Sequence, residues 1–350
     1  MTAPTAFTGR RVGVRFGPIG VPWRPRLFWG CVGLFAGCLA LVVYAVLAGR
    51  GHALPLDRVL PILLGQGDPI EQIVMDRRLP RALVGFAAGF ALGAAGAITQ
   101  SITRNPLASP DILGVTNGAS LGAVLLLTAV RGAEGWSLTG AALVGGLVTT
   151  AIVVALSWKA DLSGLRLILS GIAVSSFCSA MIAWQLLRTD IDTAERAQRW
   201  LTGSLGSVTP ADAGLVLPIV SLGAAALIVM SNQLGALRFS NDTATSLGVR
   251  PSTARLRQLA LAVGLVCVVT AVTGPIGFIG FVAPQLAMRM LRTAGPPPIA
   301  GGLLGALVVL AADRLVQLLP VTLPVGAITA LVGAPILIVL LLRGIRRSDA

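Results

Sequence analysis

The sequence predicts an all-α polytopic membrane protein of about ten transmembrane helices, with both termini in the cytoplasm. Of its 350 residues, 55% are apolar and only 12% charged, too few charges to solvate a soluble globule. Windows free of Asp, Glu, Lys and Arg run 27 to 49, 82 to 103, 112 to 130, 135 to 158, 167 to 187, 213 to 237, 258 to 288, 293 to 312 and 315 to 342. Each is near or above the ~20 residues that a helix needs to cross a bilayer. The window from Gln258 to Met288 is too long for one crossing and holds the helix-ending pair Gly274-Pro275 at its middle, so it reads as two.

Basic residues choose the orientation. With the N-terminus inside, 17 of the 27 basic residues and 4 of the 14 acidic ones fall in cytoplasmic segments, which puts the whole net charge of +13 on that face. Arg10, Arg11, Arg15, Arg24 and Arg26 before the first span, and Arg343, Arg346 and Arg347 after the last, contribute most. Topology accounts for the basic balance without nucleic acid. Residues 1–26 read as a basic cytoplasmic segment, 27–343 as one transmembrane domain and 344–350 as a cytoplasmic tail. No Ala-x-Ala site follows the first apolar run at the usual distance, so 27–48 reads as a retained span.

Several chemistries are excluded. Lys159 is the only lysine and follows Ser157-Trp158, where a phosphate-binding P-loop needs glycine. His52 is the only histidine, which rules out a metalloprotease helix and argues against any zinc site; in the first outer loop it reads as solvated. Cys31, Cys38, Cys178 and Cys267 all lie in apolar windows and read as small core residues. Every acidic residue lies outside the windows, with Asp313 at a boundary. Without a buried carboxylate to carry protons or ions, an active transporter would draw its energy from another subunit.

The loop from Arg50 to Arg81 carries nine charges. It is either a solvated connection or, because Arg77, Arg78 and Arg81 cluster beside Pro80, a docking surface for an acidic partner. The second span is rich in Gly and Ala, with Gly85, Gly89 and Gly93 at four-residue spacing, and is expected inside the bundle. Gln100 at its inner end is a helix–helix hydrogen bond or a pathway group. Next come Arg104, Asn105, Pro106, Pro110 and Asp111, then Gly114, Asn117 and Gly118, a polar, helix-breaking insert between two apolar runs. Such backbone is tolerated at membrane depth mainly where it is buried in protein or lines a cavity.

In the fifth span, Ser175 and Ser179 share a helix face with Ser176 beside them. That face lines a pathway, or its hydroxyls bond back to helix carbonyls. The inner loop 238–257 has Asn241 or Asp242 to cap a short helix that Gly248 ends, and Pro251 to begin another. Two short helices there would form a docking knob. The last third repeats the broken-helix theme in Gly274 to Pro284, Leu323-Pro324-Val325-Gly326 and Gly333-Ala334-Pro335, and a division into five and five spans suggests an inverted repeat.

Taken in order, Arg78-Leu79-Pro80-Arg81, Gln100 with Arg104 to Pro110, Gly114 to Ala119, Leu247-Gly248-Val249, Gly274 to Pro284 and Leu323 to Pro335 resemble the iron-siderophore and vitamin B12 permeases of ATP-driven importers. The resemblance implies a type II importer permease fold paired with a like subunit, two ATPase subunits that use ATP and Mg, and an external binding protein. The chain itself would bind no cofactor or metal and would not be an enzyme. By position, Arg78 and Arg81 would meet the binding protein. Asp242, Thr243, Ala244, Leu247, Gly248, Val249, Arg250, Ser252 and Arg255 would couple to the ATPase, and Gln100, Asn105, Asn117, Ser175, Ser176 and Ser179 are pathway candidates. Many relatives carry an arginine and a glutamate where this chain has Gln317 and Thr322, and Arg314 is the substitute for a third docking arginine. The Gln317 departure and the pattern from Asp242 to Val249 are similar to one of the two unlike permease subunits of ferric-enterobactin-type importers, which favours a heterodimer over a homodimer and implies a ferric catecholate cargo; cobalamin or haem is the alternative, and an ion-coupled carrier the more distant one.

Overall fold

The computed structural model describes residues 13–16, 19–22, 25–48, 54–64, 66, 68–130, 132–158, 164–320 and 323–348. His52, Lys159 and Thr322, and with them the readings placed on those residues, lie outside this set. A small antiparallel hairpin, β1 (Gly13–Phe16) with β2 (Ile19–Pro22), precedes the helices and is an addition to the all-α expectation.

Among the described residues, ten apolar helices coincide with the ten expected spans. Seven are long enough to cross a bilayer: α1 (Pro25–Leu47), α3 (Pro69–Thr103), α5 (Trp136–Trp158), α6 (Gly164–Arg188), α8 (Pro210–Ala236), α10 (Pro251–Thr273) and α12 (Pro298–Leu318). Three are shorter, α4 (Val115–Ala129), α11 (Ile279–Leu291) and the apolar part of α13 (Val325–Ser348). Three further helices, α2 (Leu56–Leu63), α7 (Ile191–Leu201) and α9 (Asn241–Ser246), lie in the connections. Both α2 and α7 went unforeseen, because charge-free windows detect spans and pass over short amphipathic helices.

The packing is organised on α3. Its apolar window is 89% buried, against 22% for α6, and it touches α12, α10, α8 and α11. The small-residue stripe is the cause. A Cβ at Gly89 would run into the Gly305 carbonyl of α12, so the two backbones meet with no side chain between them.

Two boundaries differ from the sequence reading. The charged stretch before the second span is helical: α3 starts at Pro69, where Glu71 accepts the Asp68 backbone N–H (3.2 Å) and proline occupies the first turn. At ~1.5 Å per residue its 35 residues span roughly 52 Å, beyond the ~30 Å of hydrocarbon. The second correction is at Asp313 and Arg314. They do not separate two spans but lie inside α12, which ends at Leu318.

Gly274 ends α10 as expected, with φ of 69° and the Trp200 carbonyl occupying the place of a Cβ. The Ser204 N–H donates to the Thr273 carbonyl (2.8 Å) and the Gly326 N–H to the Gly203 carbonyl (3.2 Å), which fixes the ends of α7 and α10 and the start of α13 to one another.

Candidate functional site

Three regions hold the polar side chains singled out above. On the expected outer side, α3 and α12 bring Arg81 and Arg314 into one network with Asp313 and Gln317, and Arg78 borders the same cavity as Arg81. Asp313 is 3% exposed; its carboxylate accepts from Arg81 Nη2 at 2.7 Å and Nε at 3.1 Å, and from Gln317 Nε2 at 2.7 Å. Arg314 donates to Gln317 Oε1 (2.7 Å), and its guanidinium lies 4.6 Å from the centre of the Tyr44 ring. Arg78 donates to the Val46 carbonyl at 3.2 Å.

Two expectations change here. Asp313 is a buried carboxylate within a span, so acidic residues are not all outside; it is neutralised by Arg81, which is why α12 tolerates it. Arg314 is 7% exposed and braced against Tyr44, so it does not stand on the surface as a third docking cation. Arg77 is exposed and borders the same 820 Å³ cavity as Asp76, Arg78 and Arg81.

The second region is a groove between α4 and α6. Asp111, Asn117, Ser175, Ser176 and Ser179 line a cavity of 460 Å³ with Ile172. Ser109 caps the short 3-10 turn Pro110–Leu113, and Gly114 follows in the left-handed region at φ 72°, which starts α4 in the direction that places Asn117 here. Asp111 accepts hydroxyls from Ser109 (2.9 Å) and Thr116. The Ser175 hydroxyl is buried and has no hydrogen-bond partner, so it is not bonded back to its own helix. Of the two readings left open for that serine, the groove-lining one fits.

Gln100 and Asn105 are not part of this groove. Gln100 is 3% exposed; its amide donates to the Gly280 (3.2 Å) and Phe281 (3.1 Å) carbonyls and accepts from Gln285 (2.7 Å). That fills its donors and an acceptor site and makes it an α3–α11 connection, correcting the pathway reading. Asn105 closes a local turn by accepting the Leu107 N–H (2.9 Å), and Arg104 beside it donates to the Leu237 and Phe239 carbonyls. The polar turn at 104–107 is a structural joint.

The third region is the expected inner loop. Ser240, not Asn241 or Asp242, caps α9, accepting the Thr243 N–H at 3.3 Å, and Gly248 follows in the left-handed region at φ 79°. Pro251 starts α10 itself, so the loop holds one short helix and the first turn of a span, not two short helices. Asp242, Thr243, Leu247, Gly248, Arg250 and Ser252 are exposed and Val249 half-buried. Ala244 and Arg255 are buried, at 1% and 6%, and face inward. Arg255 Nη2 donates to Asn241 Oδ1 at 2.6 Å, which ties α9 to α10. The sequence offered no signal for that tie, since the two residues are separated by a turn.

A protein-family model described as the FecCD transport family matches residues 37–343. The chain is 38% identical over 324 residues to the ferric enterobactin transport system permease protein FepG of Escherichia coli (strain K12), covering 90% of this chain and 98% of that one. It is 32% identical over 331 residues to the hemin transport system permease protein HmuU of Yersinia pestis, with 91% and 96% covered. Among solved structures, an inward-facing conformation of a metal-chelate type ABC transporter matches with a TM-score of 0.80 at 27% identity, over 89% of this chain and 98% of that one.

Proposed function

The chain belongs to the FecCD transport family, and on that premise we propose that it is the permease subunit of an ATP-driven importer in the cytoplasmic membrane, carrying a ferric siderophore of the catecholate type. The relation to FepG, whose name refers to ferric enterobactin, supports the cargo class. A hemin permease at 32% identity makes haem the second reading. The chain pairs with a second, unlike permease subunit, and two ATPase subunits hydrolyse ATP with Mg. An external binding protein delivers the cargo to the cations at the outer end of α3.

The observation that carries the reading is the hydroxyl and amide groove on α6. This helix is only 22% buried, yet Ser175, Ser176 and Ser179 lie along it facing Asn117 and Asp111. Polar groups on a spanning helix face a pathway or a neighbouring subunit in preference to lipid. The exposed residues of α9 and the turn after it, Asp242, Thr243, Leu247 and Gly248, are the ATPase contact, and Arg255 holds α9 from behind. Reconstituting the chain with its partner permease and ATPases, and measuring uptake of a labelled ferric catecholate, tests the proposal. ATP-dependent uptake is expected; uptake that is the same without ATP overturns it.

A further inference from the structure

A second outer cavity, of 1110 Å³, lies between the segment 133–139, α7 and the strip Ser204 to Thr209. That strip also borders the cavity beside Arg78 and Arg81, so the two outer cavities share a wall. Arg196 projects from α7 into the second one. Asp190 caps α7 by accepting the Thr193 N–H (2.8 Å), and burial of Thr193 and Ala197 on one helix face turns Arg196 towards the cavity. The guanidinium is half-buried and donates to the Thr193 hydroxyl at 3.2 Å, its Nε is buried without a partner, and among the described residues no carboxylate lies within ion-pairing distance of it.

The other charges at the cavity are accounted for. Arg199 is paired with Glu195 at 3.4 Å, and Asp212 accepts the Thr209 N–H (2.8 Å) and hydroxyl (2.7 Å). Glu134 is exposed at the rim. Two indole rings, Trp136 and Trp200, line the same space. An arginine with no direct ion pair among the described residues offers a planar, multiply donating cation, and indole faces offer stacking surface.

We propose that this cavity is a binding site for an anionic aromatic chelate, with Arg196 as its charge contact and Trp136 and Trp200 as its stacking walls. The inference rests on the importer reading above and adds to it a place where cargo waits beside the docking surface. It gives the chain a means of selecting negatively charged aromatic chelates over neutral ones, because among the described residues Arg196 has no direct ion pair and reaches the Asp190 carboxylate only through the Thr193 hydroxyl, so a bound anion would be its direct partner.

The test uses the full transporter in lipid nanodiscs, with a ferric tris-catecholate as anionic probe, a neutral ferric tris-hydroxamate as control and inorganic phosphate as competitor. Arg196→Gln is expected to weaken the catecholate at least tenfold, with Arg196→Lys intermediate and the hydroxamate unaffected. Glu134→Gln should tighten the catecholate, and Trp136→Phe with Trp200→Phe should weaken it. Equal catecholate affinity in wild type and Arg196→Gln overturns the proposal. Competition by phosphate as strong as by the catecholate overturns the aromatic part, and so does binding that ignores both tryptophan changes, which would make Trp136 an interfacial anchor. Uptake into proteoliposomes separates the two levels: wild type without ATP-dependent uptake sinks the importer reading, whereas normal uptake with an indifferent Arg196→Gln sinks only this one.

Discussion

Asp313 accepts hydrogen bonds from two side chains on different helices while almost excluded from solvent. Asp313→Leu leaves the Arg81 cation and the Gln317 amide without their acceptor, and loss of one partner of a buried pair costs about 3–5 kcal/mol. Arg81 is a quarter exposed and water can recover part of that, so a loss nearer ~2 kcal/mol is expected, read as a lower unfolding temperature in detergent. Asp313→Asn, which keeps the shape, should lose less. Gln100 supplies a second residue-scale prediction. Gln100→Leu strands the Gln285 amide against apolar surroundings, at about 1–3 kcal/mol for an unsatisfied buried group. Adding Gln285→Leu should cost less than the sum of the two single changes, and strict additivity would show that the pair is not coupled. Sequence alone gave Gln100 two equal meanings; the carbonyls of Gly280 and Phe281 chose between them.

At the scale of elements, the short helix α9 is six residues long and too short to hold its shape unaided. Its support is the Asn241–Arg255 hydrogen bond and the burial of Ala244. With α9 as the proposed ATPase contact, Arg255→Gln is expected to leave assembly with the ATPase intact and to lower transport per ATP hydrolysed several-fold, because motion at α9 would no longer be passed rigidly to α10. Asn241→Asp, which retains an acceptor for Arg255, should keep coupling near wild type. Equal coupling in Arg255→Gln and wild type would show that the tie is unnecessary. The existence of α9 and its glycine stop were legible in the sequence, whereas its cap was misplaced by a residue because Ser240, Asn241 and Asp242 are all competent caps. The start of α3 was missed for a related reason: charges outside an apolar window look like a loop until the cap at Asp68 and the proline at Pro69 are given weight.

For the whole molecule, α3 is packed inside the bundle whereas α6 is largely unburied, and the proposed pathway groove lies on α6. Replacing Ser176 and Ser179, both exposed, with leucine is expected to preserve folding and to cut ATP-dependent uptake at least tenfold. Uptake at wild-type rate would remove the groove from the pathway. Ten spans, the split at Gly274, the central small-residue helix and the family pattern from Arg78 to Pro335 were all determined by the sequence, because bilayer thickness and the conformational limits of glycine and proline act locally along the chain. The tertiary structure alone decided that Asp313 neutralises Arg81, that Gln100 binds α11, that Arg255 braces α9, and that Asn117 shares a groove with the α6 serines. Each of these joins residues on different helices, and the partner of a polar side chain is set by how the helices pack, which no single helix encodes.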